Sequence, residues 1–178
     1  MKCIAMTAGL VLALGCAAIH AAEPEDAPRP NAPILSSEMS GGDLSYFTGT
    51  ARQTALLVAL SSLAQKHAIT PEVQALAASV GKDQTAAAAS LKDLAARKNV
   101  PLRAEPDGTG KKQLQGLAKL KGPKFDKTYL DALADAQEQL ETSLQAGTSS
   151  ADEQVKASAQ AGMEVLKRER EAVRKLGM

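Results

Sequence analysis

Residues 70–95 read TPEVQALAASVGKDQTAAAASLKDLA, and this stretch decides the fold class. Thr70 is a good N-cap type, Pro71 suits the first helical position, where its missing N–H costs nothing, and Glu72 sets an acid against the helix dipole. Behind this start, Val73, Leu76, Ala77, Val80, Ala87, Leu91, Leu94 and Ala95 recur at intervals that keep them on one side of an α-helix. No proline interrupts the pattern before Pro101.

The same period continues on both sides. Upstream, Leu56, Ala59, Leu60 and Leu63 share a face of a helix expected from an N-cap at Asp43 to Lys66 or His67. Downstream, Tyr129, Leu130, Leu133, Leu140 and Leu144 mark a helix opening near Phe125 and stopping at Gly147, where a residue without Cβ suits a C-terminal cap. Ser150 and Glu153 have capping-box spacing for a last helix, whose stripe is Val155, Ala159, Gly162, Leu166, Val173 and Leu176. Residues 101–124 hold Pro101, Pro106, Gly108, Gly110, Gly122 and Pro123 and read as a connector with one short helix around Gln113 to Lys119.

Two helical hairpins, 43–98 and 125–176, are therefore joined by a long connector. Four amphipathic helices bury their stripes most simply against one another, so the sequence predicts an all-α fold, a four-helix bundle, over residues 43–178. Composition agrees: only 2% of the 178 residues are aromatic while 44% are hydrophobic, mostly Ala and Leu, which suits closely spaced helices rather than sheet.

Ahead of this domain, Lys2 and the apolar run Cys3 to Ala18 read as a signal peptide over residues 1–22, removed before the acidic, proline-rich Glu23-Pro24-Glu25-Asp26. A second reading is open, because Ala13-Leu14-Gly15-Cys16 resembles a lipobox and would make Cys16 a lipidation site. Export implies a periplasmic protein, and lipidation a membrane-anchored lipoprotein. Pro24, Pro28, Pro30, Pro33, Gly41 and Gly42 make residues 23–42 an extended tether.

Both cysteines, Cys3 and Cys16, lie in the leader, so the mature domain has no disulfide, thiolate nucleophile or cysteine ligand. Removing Lys2 leaves 20 basic against 20 acidic residues, a net charge of 0 that disfavours general nucleic-acid binding. Charge is uneven locally: Arg97 to Lys127 holds nine basic and three acidic residues, a net of +6 suited to anionic envelope polymers or lipid head groups, or simply to solvent.

The strings Val73-Gln74-Ala75-Leu76-Ala77, Lys82-Asp83-Gln84 and Leu91-Lys92-Asp93-Leu94-Ala95 resemble the second helix of a bacterial exported family of unknown function with a ferritin-like bundle. Leu117, Gly122, Phe125-Asp126 and Tyr129-Leu130 resemble the same family's characteristic segment, and the likeness spans about residues 44–176. The resemblance implies histidines at three helix positions that hold Gln84, Gln137 and Glu169 in this chain.

Helical spacing puts those three residues on apolar stripes. Gln84 is four residues after Val80, Gln137 four after Leu133, and Glu169 seven after Gly162. The glutamines read as hydrogen-bonded core residues, and Glu169 as a stripe-edge residue reaching solvent. No metal is expected: His20 and His67 are the sole histidines, no Glu-x-x-His pair occurs, and a tight turn near Thr148 would offset Gln137 and Glu169 by roughly 13 Å. His67 reads as a C-terminal dipole partner. Gly108-Thr109-Gly110-Lys111-Lys112 lacks the spacing of a phosphate loop, and one mature histidine cannot build a Ser-His-Asp set.

These readings converge on an exported, non-catalytic helical bundle of the cell envelope, without cofactor, that binds an envelope protein or polymer or serves structurally. Two alternatives remain: a ferritin-like metal-binding protein, degenerate or active, and a module that holds a partner's helix in a groove.

Overall fold

The computed structural model describes residues 39–176, so the 1–22 leader, Cys16 and most of the 23–42 tether lie outside the described residues. Within them the chain is all-helical, with no strand: α1 (Gly41–His67), α2 (Pro71–Arg97), α3 (Gly108–Leu117), α4 (Pro123–Thr148) and α5 (Glu153–Arg174). None of these helices is long and apolar enough to cross a membrane.

The helix starts reveal which polar groups satisfy the first free N–H groups. α1 begins inside the expected tether because Ser40 Oγ, not Asp43, is the cap, accepting from Asp43 N at 3.0 Å. α2 begins where Thr70-Pro71 predicts, yet the Thr70 side chain makes no capping bond. The Asp126 carboxylate of α4 accepts instead from Ile69 N (3.1 Å) and Thr70 N (2.9 Å). α3 starts upstream of the expected Gln113 because Asp107 caps it, accepting from Gly110 N at 2.8 Å. Gly122, at φ +63°, takes the left-handed turn that lets Pro123 open α4.

The last hairpin departs most from expectation. Gly147 does not end α4, which runs to Thr148, and the Ser150/Glu153 capping box does not form. Asp152 caps α5, its Oδ1 accepting from Gln154 N (2.9 Å) and Val155 N (3.2 Å), while Ser150 Oγ accepts from Asp152 N at 3.1 Å. Gly147 is glycine for another reason: a Cβ there would sit 2.5 Å from the Tyr46 ring and 2.8 Å from the Ala159 methyl.

The four long helices form a closed ring of neighbours in the order α1, α2, α5, α4. Neighbours are antiparallel. His67 and Phe125 rings meet at 5.7 Å near one end of the α1–α4 pair, and Gln53 donates to Gln139 at 2.9 Å further along it. Lys98 at the end of α2 likewise pairs with Asp152 at the start of α5. α2 and α4 are thus parallel and diagonal across the ring, so residues 98–122 must travel its full length. They do so over α1: Asp107 meets Arg52 at 3.4 Å, Gly110 packs on Leu56, and Leu114 and Ala118 lie beside Leu63 and Lys66.

This covering explains why α1 shows no clean apolar stripe. Twelve of its residues are buried, including Thr50, Gln53, Thr54 and Ser61, because it has neighbours nearly all round. All four aromatic residues of the chain are buried in the core, Tyr46 and Phe47 edge-on at 5.2 Å.

Candidate functional site

α2, α4 and α5 each place one polar side chain on the inward stripe. Gln84, Gln137 and Glu169 are 2%, 1% and 4% exposed, so Glu169 does not reach solvent as its stripe-edge position suggested. The three meet. Gln84 Nε2 donates to both carboxylate oxygens of Glu169, at 2.9 and 3.1 Å, and Gln137 Nε2 donates to Oε2 at 3.2 Å.

The expected offset between Gln137 and Glu169 is therefore wrong, and the cause is the turn. Gly147 packs on Ala159, Gly162 on Leu144, and Gln137 bonds Glu169, three pairs symmetric about position 153 rather than 148. With Gly147 kept in the helix and α5 delayed to Glu153, the height difference vanishes.

Burial dominates the electrostatics of this layer. It pushes the Glu169 carboxyl up to about 7; the two amide hydrogen bonds hold it down in part, the Asp83 charge raises it further, and Arg168 lowers it. Burial likewise pushes Tyr129 up to about 12, with the neighbouring Ser61 hydroxyl lowering it and the Glu169 charge raising it. Neither Tyr129 Oη nor Ser61 Oγ meets a partner in full hydrogen-bond geometry, and buried Gln84 Oε1 and Thr50 Oγ1 also lack one.

This arrangement can hold or release a proton near neutral pH, and its amides fix the carboxylate in place. It offers no nucleophile oriented by a base. Nor does the donor set suit the di-metal centre of a ferritin-like bundle, which draws carboxylates and histidines from all its helices. Here two amide N–H groups are aimed at the single carboxylate, where a cation would have to sit. Among the described residues no cluster of three or more His, Cys, Asp and Glu is placed to bind a metal.

Beside this layer, α2 and α5 part to form a cleft of about 320 Å³. Ala86, Ala87 and Ser90 face Ser158, Ala161 and Gly162 across it, and Leu91, Leu140, Leu144 and Val165 supply apolar walls. Thr50, Thr54 and Gln84 line it as well, with Asp83 and Arg168. Sequence reasoning missed this cleft, because alanine-rich stripes read equally well as close packing.

The remaining sequence candidates fall elsewhere. His67 is in the last turn of α1 against Phe125. In the basic stretch, Lys98, Lys111 and Lys127 are held in ion pairs with Asp152, Glu105 and Asp131.

A family model described as a domain of unknown function (DUF4142) matches residues 30–176. No curated protein and no solved structure matches the chain.

Proposed function

The chain belongs to the DUF4142 family, and from that premise we propose that it is an exported, non-catalytic four-helix bundle of the cell envelope with a binding or structural role. The ring of four long helices with one connector running its length supports the bundle reading, since ferritin-like bundles join their two hairpins by a single long crossover. Export rests on the leader-like residues 1–22, with lipidation at Cys16 as the competing route to the envelope.

The observation that carries the non-catalytic reading is that the amide N–H groups of Gln84 and Gln137 are both spent on the buried Glu169 carboxylate. The three residues that stand where the resemblance implies histidines thus pair amide donors with a single carboxylate. A layer of this kind ties α2, α4 and α5 together, and leaves the cleft and the basic connector as surfaces for partners.

Two measurements test this. Elemental analysis of the untreated protein, with melting in the presence of zinc, iron and copper, is expected to show no stoichiometric metal and no metal-dependent rise in Tm. A rise that Gln84→Leu abolishes would restore the metal-binding reading. Mass spectrometry of the mature N-terminus is expected to give Glu23, and an acylated Cys16 would replace the periplasmic location with a membrane anchor.

A further inference from the structure

We infer that the end of the bundle where the α1–α2 turn meets the start of α4 docks on an anionic lipid bilayer, with Ile69 entering the head-group layer and a group of lysines meeting lipid phosphates. The inference rests on the envelope location proposed above and names the partner there. Its failure leaves export standing, since export is read from the N-terminal mass.

The chain path brings the lysines together. α1 and α4 run antiparallel with His67 against Phe125, so the last turn of α1 lies level with the first turn of α4. α3 ends beside the same turn, because Leu114 and Ala118 lie next to Leu63 and Lys66. Lys66, Lys119, Lys121 and Lys124 therefore gather at one end of the bundle, with Lys127 a turn further down α4. All five are exposed. Lys127 pairs with Asp131, whereas the other four meet no acid among the described residues. Of the acids at this end, Asp126 is buried under the turn, which leaves Glu72 in the first turn of α2 to face solvent. The surface is positive, and anionic head groups complement it.

Charge alone suits any polyanion, and Ile69 selects the bilayer. It is 56% exposed at the apex between α1 and α2; the other large hydrophobic exposed to this degree among the described residues, Leu44 at 50%, lies at the opposite end of α1. The exposure of Ile69 is held in place. Ile69 N and Thr70 N both donate to the Asp126 carboxylate, Ala68 N donates to Ala64 O, and Gln74 Nε2 donates to Ala68 O. A turn whose backbone groups are paired within the protein enters a poorly hydrated layer without losing hydrogen bonds. Lysine stems are long enough to keep their ammonium groups at the phosphates while the apex goes deeper. A soluble polyanion offers an apolar apex nothing to enter.

The chain has no tryptophan, so a single introduced one reports its own surroundings. Ile69→Trp and, from the opposite end, Leu44→Trp are made in the full-length protein. Each is mixed with vesicles of phosphatidylcholine alone, with vesicles of phosphatidylcholine and phosphatidylglycerol in equal parts, and with soluble polyphosphate. Any contribution from residues 1–22 is common to every variant and cancels in the comparison. The anionic vesicles are expected to shift the emission of Ile69→Trp to the blue and to leave that of Leu44→Trp in place. Cosedimentation of the parent is expected with the anionic vesicles, weaker in high salt, and about twenty-five-fold weaker for Lys121→Gln combined with Lys124→Gln, at about fivefold per lysine. Ile69→Ser is expected to weaken vesicle binding by about fivefold while leaving polyphosphate binding unchanged. Equal affinity of the parent for the two kinds of vesicle overturns the inference, as does a blue shift for Leu44→Trp without one for Ile69→Trp. Polyphosphate binding with the same lysine dependence, and no blue shift of Ile69→Trp on vesicles, would replace the bilayer with a soluble polyanion.

Discussion

The α1–α4 and α4–α5 seams and the α2–α5 seam use the same small residues to opposite ends. In the first two, glycines let helices close until nothing more fits: a Cβ at Gly49 would lie 2.3 Å from Ser143 Oγ, and one at Gly147 or Gly162 would strike Tyr46 or Leu144. In the third, alanines face each other across a cleft. What differs is the packing between the ties. The closed seams also carry polar ties, Gln53–Gln139 across α1–α4 and Gln137–Glu169 and Arg170–Glu141 across α4–α5, but interdigitate between them, whereas the buried Gln84–Glu169 contact and the part-exposed Lys98–Asp152 pair join α2 to α5 with the cleft between them. Small side chains permit close approach without enforcing it; longer neighbours decide the spacing.

The largest expected effect tests the buried tie. Because the folded carboxyl of Glu169 is raised to about 7 from an ordinary 4.5, the folded state holds the proton more tightly than the unfolded one. Its contribution is fully present below pH 4.5 and is lost as pH rises through 7, a difference of roughly 3 kcal/mol. Urea denaturation of the parent and of Glu169→Gln at several pH values between 4 and 8 isolates it. The variant should lack this pH dependence and match or exceed the parent at pH 8; parallel curves would refute the raised acid.

Next comes the closed side. Gly147→Val forces a branched side chain onto Tyr46 and Ala159 and should cost roughly 2–3 kcal/mol, read as a lower urea midpoint. A neutral result would mean that this seam is as loose as the open one. Lys98→Met cuts the peripheral tie and should cost at most about 1 kcal/mol, less in high salt. Smallest of all, Ala161→Leu adds bulk at the exposed lip of the cleft and should shift stability by no more than about 0.5 kcal/mol. A penalty comparable to that of Gly147→Val would show the two seams to be alike.

Much of this is legible in the sequence. Helical period locates the four long helices, while α3 lies upstream of the expected Gln113 to Lys119, and stripe position marks Gln84 and Gln137 as buried. The register of the last hairpin was not legible. Gly147 suits a helix stop because glycine tolerates left-handed backbone, but glycine also tolerates close approach, and only the ring of Tyr46, a hundred residues earlier, shows which property is used. Ser150 and Asp152 are both good caps two residues apart, and the choice between them moves α5 against α4. That slip hid the meeting of Gln137 with Glu169 and made the acid look solvated. The cleft was invisible for a related reason: an alanine stripe carries no record of how far away its neighbour stands.

The crossover over α1 also has a kinetic consequence. Contacts within each hairpin are local, but Gln53–Gln139 and Gln84–Glu169 join residues 86 and 85 positions apart. Bringing such distant segments together loses chain entropy before the contacts repay it. The expected order is therefore two hairpins first and their docking last, with the α2–α5 ties absent from the folding transition state. Weakening those ties should leave the refolding rate nearly unchanged and speed unfolding, so the persistence of the folded protein in time is set at the seam that is packed least.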